Sequence, residues 1–464
     1  MSPVLPVLRF FHERKSLTFI MQVKASPSSP CFPKNVAMNK NLRIFRTFED
    51  GRRVPVGHAE NRNGNIVFRY DGEYLAAFGE AVGSLSPLTL PYDASLQPTP
   101  VKCPAGLPGF LAESLPDGYG LWLMDKAFQR RGVPREAVAP LDRLAFVGNR
   151  AAGALSYEPG DDIPAVRREC LPLAELGAAA QTFFEGKETE FFVELTACGS
   201  AGGSRPKAQL FFGDDFSRAS LVPKENSTAW LVKFTASDFP LGHEEGLFEA
   251  AALAASEKAG IRTPAWRLFE GPQGRGRPKV PYWLGMERFD RTSAGRVHYV
   301  SAAGLLNANF REPVFDYFDL MRLPYRLTQS QVEMEELFRR AVLSYFLRNE
   351  DDHEKNFGFL LHDDGRWTLS PSFDITYAPG PYGEHATSFG GNGRRITRDA
   401  LERMSRLMAT PVERLEKIVR QTAEAALGFS ETALSLGAKR ATIKEVKAQV
   451  EAAVDANLKT MGLV

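Results

Sequence analysis

The chain has 464 residues, 44% hydrophobic and 24% charged, and 57 Lys and Arg against 56 Asp and Glu leave a net charge of +1. At roughly 150 residues per domain this is enough for about three globular domains, and so even a balance excludes a purely charge-driven binder of nucleic acid or anionic membrane. No run reaches the eighteen or so apolar residues of a membrane span. Cys31, Cys103, Cys170 and Cys198 contain no C-x-x-C pair, which excludes a disulfide framework or zinc knuckle and predicts a reducing, cytoplasmic setting without a membrane partner.

Residues 1–40 carry Arg9, Arg14, Lys15, Lys24, Lys34 and Lys40 against Glu13, with Pro and Ser gathered between Ser26 and Pro33. A loosely ordered extension is expected. Leu17 to Val23, interrupted by Gln22, is too short for the apolar segment of a secretory signal. From 41 to 165 short strands (Leu42 to Phe48, Ile66 to Tyr70) and turns (Glu49-Asp50-Gly51, Asp71-Gly72, Leu115-Pro116-Asp117-Gly118) predict a β-rich subdomain. It holds one helix over Tyr119 to Arg131 and ends in a linker, Glu158 to Asp162.

Residues 166–287 read as five strands and one helix. The strands are Glu190 to Leu195, Ala208 to Phe212, Ala229 to Thr235, Ala265 to Phe269 and Tyr282 to Met286, the last two flanking a basic hairpin tip, Gly271 to Lys279. The helix, Glu244 to Lys258, is stopped by Gly260 and Pro264. Residues 288–464 read as mostly helical. Met334, Leu337, Phe338, Ala341 and Tyr345 give Gln331 to Arg348 an amphipathic face, and helices run from Arg398 to the end. The class is α+β.

The chemistry concentrates after that helix. In Arg348-Asn349-Glu350-Asp351-Asp352-His353-Glu354-Lys355-Asn356 six of nine residues are charged. Such a run usually marks a solvated face, but here it sits between an apolar helix and a strand, Phe357 to Leu361. A hairpin through His362 to Gly365 returns on Trp367 to Leu369, and Pro371-Ser372-Phe373-Asp374-Ile375 follows. A carboxylate, an amide five residues on and a second carboxylate beyond a hairpin form the order used for phosphoryl transfer. Asp351 is placed to align an acceptor hydroxyl, while Asn356 and Asp374 offer hard oxygens to a metal ion. The spacing Asp-x-x-x-x-Asn is weak alone and gains value from Asp374, eighteen residues beyond Asn356.

Upstream, Lys233 lies in the apolar strand Trp230-Leu231-Val232-Lys233-Phe234, and Glu249 follows on the next helix. A strand lysine paired with a helix glutamate orients nucleotide phosphates in kinases. Glu244, Glu245 and Glu257 compete for the role. The turn Gly199-Ser200-Ala201-Gly202-Gly203-Ser204-Arg205-Pro206-Lys207, read as lying between two strands, offers backbone N–H groups to phosphates. It fits neither the Walker A pattern nor G-x-G-x-x-G, and taken alone it reads as a flexible hairpin.

In this order, Ser200 to Lys207, Leu231 to Phe234, Met286-Glu287-Arg288-Phe289-Asp290-Arg291, Asn349 to Asn356 and Pro371 to Ile375 resemble the HipA family of serine/threonine kinases, toxins of bacterial toxin-antitoxin modules. Leu85-Ser86, Leu115 to Gly118 and Gly148 to Leu155 resemble that family's first subdomain. The resemblance runs from about Asn41 to Asp399. It implies a bilobal protein-kinase-like fold, with an amino-terminal β-rich subdomain, an N-lobe over 166–287 and a helical C-lobe over 288–464.

By position, the resemblance makes Asp351 the catalytic base, with His353 beside it in the catalytic loop, and Asn356 and Asp374 the Mg2+ ligands. Lys233 would meet the ATP phosphates with Gly202, Gly203 and Lys207. The backbone of Glu287 and Phe289 would read the adenine edge, and Asp290 would reach the ribose. Ser200 falls at the family's autophosphorylation site, with Ser204 as a second acceptor in the same loop; two negative charges there would repel a triphosphate. Arg205 stands where the family commonly has Gln. The implied partners are a helix-turn-helix antitoxin (HipB-like), DNA only through that antitoxin, and a protein substrate such as an aminoacyl-tRNA synthetase.

Two other functions use the same chain: a non-catalytic co-repressor acting through an antitoxin, and a small-molecule phosphotransferase. The set Lys233, Asp351, Asn356 and Asp374 speaks against the first, and no motif marks the acceptor surface that would decide the second. Arg275, Arg277 and Lys279 form a local basic patch suited to phosphate contacts. His58, His243, His298, His362 and His385 show no metal-ligand spacing and read as surface or loop residues. Cys198 reads as a packing residue.

Overall fold

The computed structural model describes residues 39–161, 166, 168–199, 202–237, 239–271, 280, 282–312, 314–380 and 382–464. The extension before residue 39, the loop serine Ser200 and the basic patch Arg275, Arg277 and Lys279 lie outside the described residues. Strands β1 (Asn41–Thr47), β2 (Arg53–Arg62), β3 (Asn65–Tyr70), β4 (Gln97–Pro98) and β5 (Leu155–Glu158) form an antiparallel sheet of order β4-β3-β2-β1-β5. Leu42 and Ile44 are buried while Asn41 and Arg43 are exposed, the period-2 alternation of a sheet with one wet face. Helix α1 (Gly118–Arg130) buries Tyr119, Leu123, Met124, Ala127 and Phe128, one stripe at helical spacing.

The second sheet takes β6 (Cys170–Pro172), β7 (Lys207–Phe212), β8 (Arg218–Ser220), β9 (Thr228–Lys233), β10 (Trp266–Glu270) and β11 (Tyr282–Glu287) in the order β10-β11-β9-β7-β8-β6. Among the described residues six strands stand where five were expected, and three α-helices where one was: α2 (Leu173–Phe184), α3 (Phe192–Cys198) and α4 (Glu245–Lys258). Glu190 to Leu195, expected as a strand, is instead the entry into α3. Residues 192–196 and 198 are all buried, and a short helix buried on every side shows no period to separate it from a strand. Thr196 donates back to the Phe192 carbonyl at 2.8 Å, as a helix allows. The glycine-rich turn therefore joins a helix to a strand, and Gly199 ends the helix at φ +66°.

The remainder holds β12 (His298–Ser301), α5 (Tyr317–Leu327), α6 (Gln331–Leu347), β13 (Gly358–Leu361), β14 (Trp367–Leu369), α7 (Arg398–Leu407), α8 (Val412–Leu427), α9 (Phe429–Ser435) and α10 (Arg440–Met461). Strands β12, β13 and β14 form a small antiparallel sheet. Helix α6 is buried along most of its length and is capped by Ser330, which accepts from Glu333 N. Against it lies α10, with Val446, Val450 and Val454 inward. Of the histidines read as surface or loop residues, His298 lies in β12 and is buried, and His385 lies in a loop with its side chain buried. His298 is 1% exposed and its Nε2 meets Leu85 O at 2.9 Å; burial pushes its pKa down to about 3. His385 is buried against Asp352 and stacks on Tyr345 at 3.8 Å.

Candidate active site

Strands β7 and β9 pair so that Lys207 stands opposite Lys233, and paired residues share a face. Two ammonium groups, each under a tenth exposed, thus rise from one floor. Helix α4 crosses this face and brings Glu249 Oε1 to 2.5 Å from Lys233 Nζ. The competing acids have other partners: Glu244 pairs with Lys439, Glu245 with Arg205, and Glu257 accepts from Thr263 and Trp266. Asp374, held at φ +57° just beyond β14, places Oδ1 against the same lysine.

These charges set one another. Burial works against the Lys233 ammonium, but Asp374 and Glu249 outweigh it and hold its pKa above the ordinary lysine value. Burial likewise opposes ionisation of Asp374, and Lys233, Lys207 and Arg205 overcome it, holding that carboxyl well below the usual range. In Glu249 burial wins, and its pKa is raised. Lys207 is pushed down to about 8, first by burial and also by Lys233 nearby.

Above the floor opens a cavity of about 590 Å³. Lys233, Glu249, Glu287, Phe289, Asp290, Gly202, Gly203, Lys207, Asp351, His353, Asn356 and Asp374 all border it. Asp351 lies at its mouth, its side chain 67% exposed, with His353 Nε2 3.9 Å from Oδ1. Loss of water against the cleft wall raises the Asp351 pKa, and Asp374 adds like-charge repulsion against the pull of His353 and Arg205. Asn356 donates its amide N–H to the Asp351 carbonyl at 2.9 Å, which aligns the loop and leaves its side-chain oxygen as the donor a cation would use. Hard oxygens from one amide and one carboxylate are the protein share of a magnesium site completed by phosphates, so the residues fit that ion.

One wall is apolar: Phe289 stacks on Phe373 at 5.7 Å, and Tyr299 adjoins both. Beside them Glu287 has spent its N–H on Ala265 O at 2.8 Å, so a ligand at 287 meets its carbonyl. Asp290, expected at the ribose, borders the cavity with its carboxylate already engaged. Its carboxylate accepts from Gly153 N at 2.6 Å, twice from Arg288 and once from Arg291, and binds the first sheet's edge to the hinge.

The contacts that Asp352, Asp117 and Arg205 make were not legible in the sequence. Asp352 is 1% exposed and accepts from Tyr317 OH at 2.7 Å and Thr387 N at 3.2 Å, anchoring the residue next to Asp351. Asp117 reaches the glycine-rich loop from the first subdomain, and Lys355 pairs with it at 2.8 Å. The turn motif at 115–118 and the cation beside Asn356 were the available signals, but neither indicates a contact 238 residues apart. Arg205 holds Glu245 through two bonds, at 2.5 and 3.0 Å, and so ties the loop to α4.

A strand–helix ion pair on the floor, a glycine-rich loop beside it and a carboxylate–amide–carboxylate set running from the mouth to that floor belong to an α+β fold of the protein-kinase-like class. The chain belongs to the HipA family: residues 51–158 match the HipA N-terminal domain and 199–428 the HipA-like C-terminal domain. A Sinorhizobium fredii protein named "Putative kinase Y4dM" is 26% identical over 331 residues, 68% of this chain and 74% of that one. A Haemophilus influenzae protein named "Putative kinase" is 24% identical over 195 residues, 39% of this chain and 54% of that one. In structure the chain resembles one from the Shewanella oneidensis MR-1 toxin-antitoxin complex of HipA, HipB and operator DNA. That match has a TM-score of 0.65 and 15% identity, covering 91% of this chain and 98% of the other. No helix among the described residues is long and apolar enough to cross a membrane.

Proposed function

We propose that this HipA-family chain is an ATP-dependent serine/threonine protein kinase. The observation that carries the reading is the position of Lys233, bound by Glu249 and Asp374, on the floor of the cavity that Asp351 and Asn356 also border. Adenine enters against Phe289 and Phe373, with the Glu287 carbonyl at its edge. Lys233 and Lys207, beside the Gly202–Gly203 turn, receive the phosphates, while the Gly203 N–H is held by Asp117. Asn356 and Asp374 would hold magnesium, which supplies charge neutralisation at the triphosphate oxygens.

Asp351, ionised, accepts the proton of the incoming serine or threonine hydroxyl. That oxygen forms its bond to the γ-phosphorus as the bridge to the β-phosphate breaks, and ADP leaves with the bridging electron pair. The exposure of Asp351 suits an acceptor arriving on another protein. Ser204, exposed in the glycine-rich loop, and Ser200 are the acceptors for self-modification. By analogy with the Shewanella complex, a HipB-like helix-turn-helix antitoxin is the partner and carries the DNA contact. The substrate class is a cytoplasmic protein, with an aminoacyl-tRNA synthetase as the first candidate.

The test compares phosphoproteomes of cells expressing wild type or Asp351→Asn. Phosphoserine or phosphothreonine sites present only with wild type support the reading and name the acceptor. Identical phosphoproteomes, with no ATP bound by the purified protein, would reject it in favour of a co-repressor without catalysis.

A further inference from the structure

Asp117 is the N-cap residue of α1, yet its side chain makes no bond to that helix, the task an N-cap aspartate ordinarily performs. The carboxylate instead turns outward into the cavity wall and is 8% exposed. Oδ1 accepts from the backbone N–H of Gly203, in the glycine-rich loop, and Oδ2 accepts from Lys355 Nζ at 2.8 Å, in the catalytic loop. The backbone repeats the first contact, because Tyr119 N donates to Gly203 O at 3.2 Å.

The approach is close. A Cβ on Gly118 would lie 2.5 Å from Gly203 O and 2.7 Å from Ser204 Cα, and Gly118 itself has φ +46°. Lys355 is held from its other side by the ring of Phe310, 5.1 Å away. One carboxylate from the first subdomain therefore joins the two loops between which the triphosphate lies on the kinase reading, and this inference rests on that reading.

We propose that Asp117 is a positioning residue for phosphoryl transfer, a latch that sets the glycine-rich loop against the catalytic loop before nucleotide arrives. Its two bonds have separable consequences. The bond to Gly203 N–H orders the loop in advance, so ATP need not pay for that ordering. The bond to Lys355 fixes a cation beside Asn356, where charge develops during transfer, and so acts on the rate. Burial alone would favour the protonated acid, but Lys355, the Gly203 N–H and Lys207 hold Asp117 ionised below the usual carboxylate range.

The experiment uses the full chain with Asp117→Ala, Asp117→Asn and, as a variant that leaves every charge in place, Gly118→Ala. Three quantities are read: hydrogen exchange at the Gly203 amide without nucleotide, ATP affinity, and single-turnover transfer. Asp117→Ala should speed exchange and weaken ATP binding, each by about tenfold, the ratio carried by one hydrogen bond to a charged group, and should slow transfer.

Asp117→Asn keeps an acceptor for Gly203 N–H but gives up the charge that Lys355 needs. It should keep exchange and affinity near wild type while slowing transfer as the alanine does. Gly118→Ala, which drives the turn away from the loop, should match Asp117→Ala in exchange. Wild-type exchange and affinity in Asp117→Ala would overturn the latch, as would equal losses in all three quantities for both Asp117 variants. A wild-type protein that binds no ATP would instead overturn the kinase reading, and exchange in the nucleotide-free protein would still support or refute the hold on Gly203.

Discussion

Replacing Lys233 by Met removes the cation between two carboxylates and leaves Glu249 buried, its side chain 8% exposed. A broken buried ion pair typically costs about 3–5 kcal/mol. Here the acid has an escape, because Glu249 is already displaced by burial toward its neutral form. Taking a proton at pH 7 costs at most the distance from the ordinary glutamate pKa of about 4.3, roughly 2.7 pH units or 3.7 kcal/mol. At pH 5 the same cost is about 1 kcal/mol.

The variant's native state then holds a proton that its unfolded state releases, so its stability falls as pH rises above the ordinary carboxylate range. The stability gap between wild type and Lys233→Met should therefore widen from pH 5 to pH 7. Urea unfolding at both pH values measures the gap. A gap that does not change with pH would mean that Glu249 finds another partner or stays ionised in water, and would rule out proton uptake by the buried acid.

Other consequences follow from the same geometry. On the proposed mechanism transfer needs ionised Asp351, whose pKa is raised, so the rate should fall as pH drops through a midpoint above the ordinary aspartate value of about 3.9; a rate flat down to pH 4 would contradict this. Of the described cysteines, exposed Cys170 should react with a thiol reagent in native protein, while Cys103 and Cys198 are buried with thiol pKa values raised by burial, and should react only after unfolding. Gly177→Ala would place a Cβ 2.1 Å from the Trp283 ring, where α2 packs on β11, and should cost about 1–3 kcal/mol by overpacking, read as a lower Tm.

How much of this the sequence carried depends on the range of each interaction. The strand of Lys233, the helix of Glu249, helix α6 and the hairpin before Asp374 were legible because local periodicity and turn residues encode them. Choosing Glu249 among four acids was decided by partners, Arg205 and Lys439 among them, that only the assembled fold supplies. Helix α3 is not legible in the sequence because burial on all sides erases the helical period. The small sheet partners β6 and β8 have three residues each, too few to alternate visibly. Asp117, Asp352 and Asp290 act through contacts 86, 35 and 137 residues away, beyond any spacing rule. Asp117 and Asp352 hold the loops that carry the motif, whereas within the motif Asp351, Asn356 and Asp374 lie close together in the chain, and only Lys233 meets Asp374 across 141 residues.

The most direct test of the central claim is single-turnover transfer of labelled γ-phosphate from Mg-ATP to protein, for wild type and Asp351→Asn, with ATP affinity measured in parallel. Wild type should place label on serine or threonine, and Asp351→Asn should slow transfer at least about a hundredfold, as for a lost general base, with nearly equal affinity. Equal labelling by the two proteins would show that Asp351 is not the base, and contradict the mechanism drawn from this cleft.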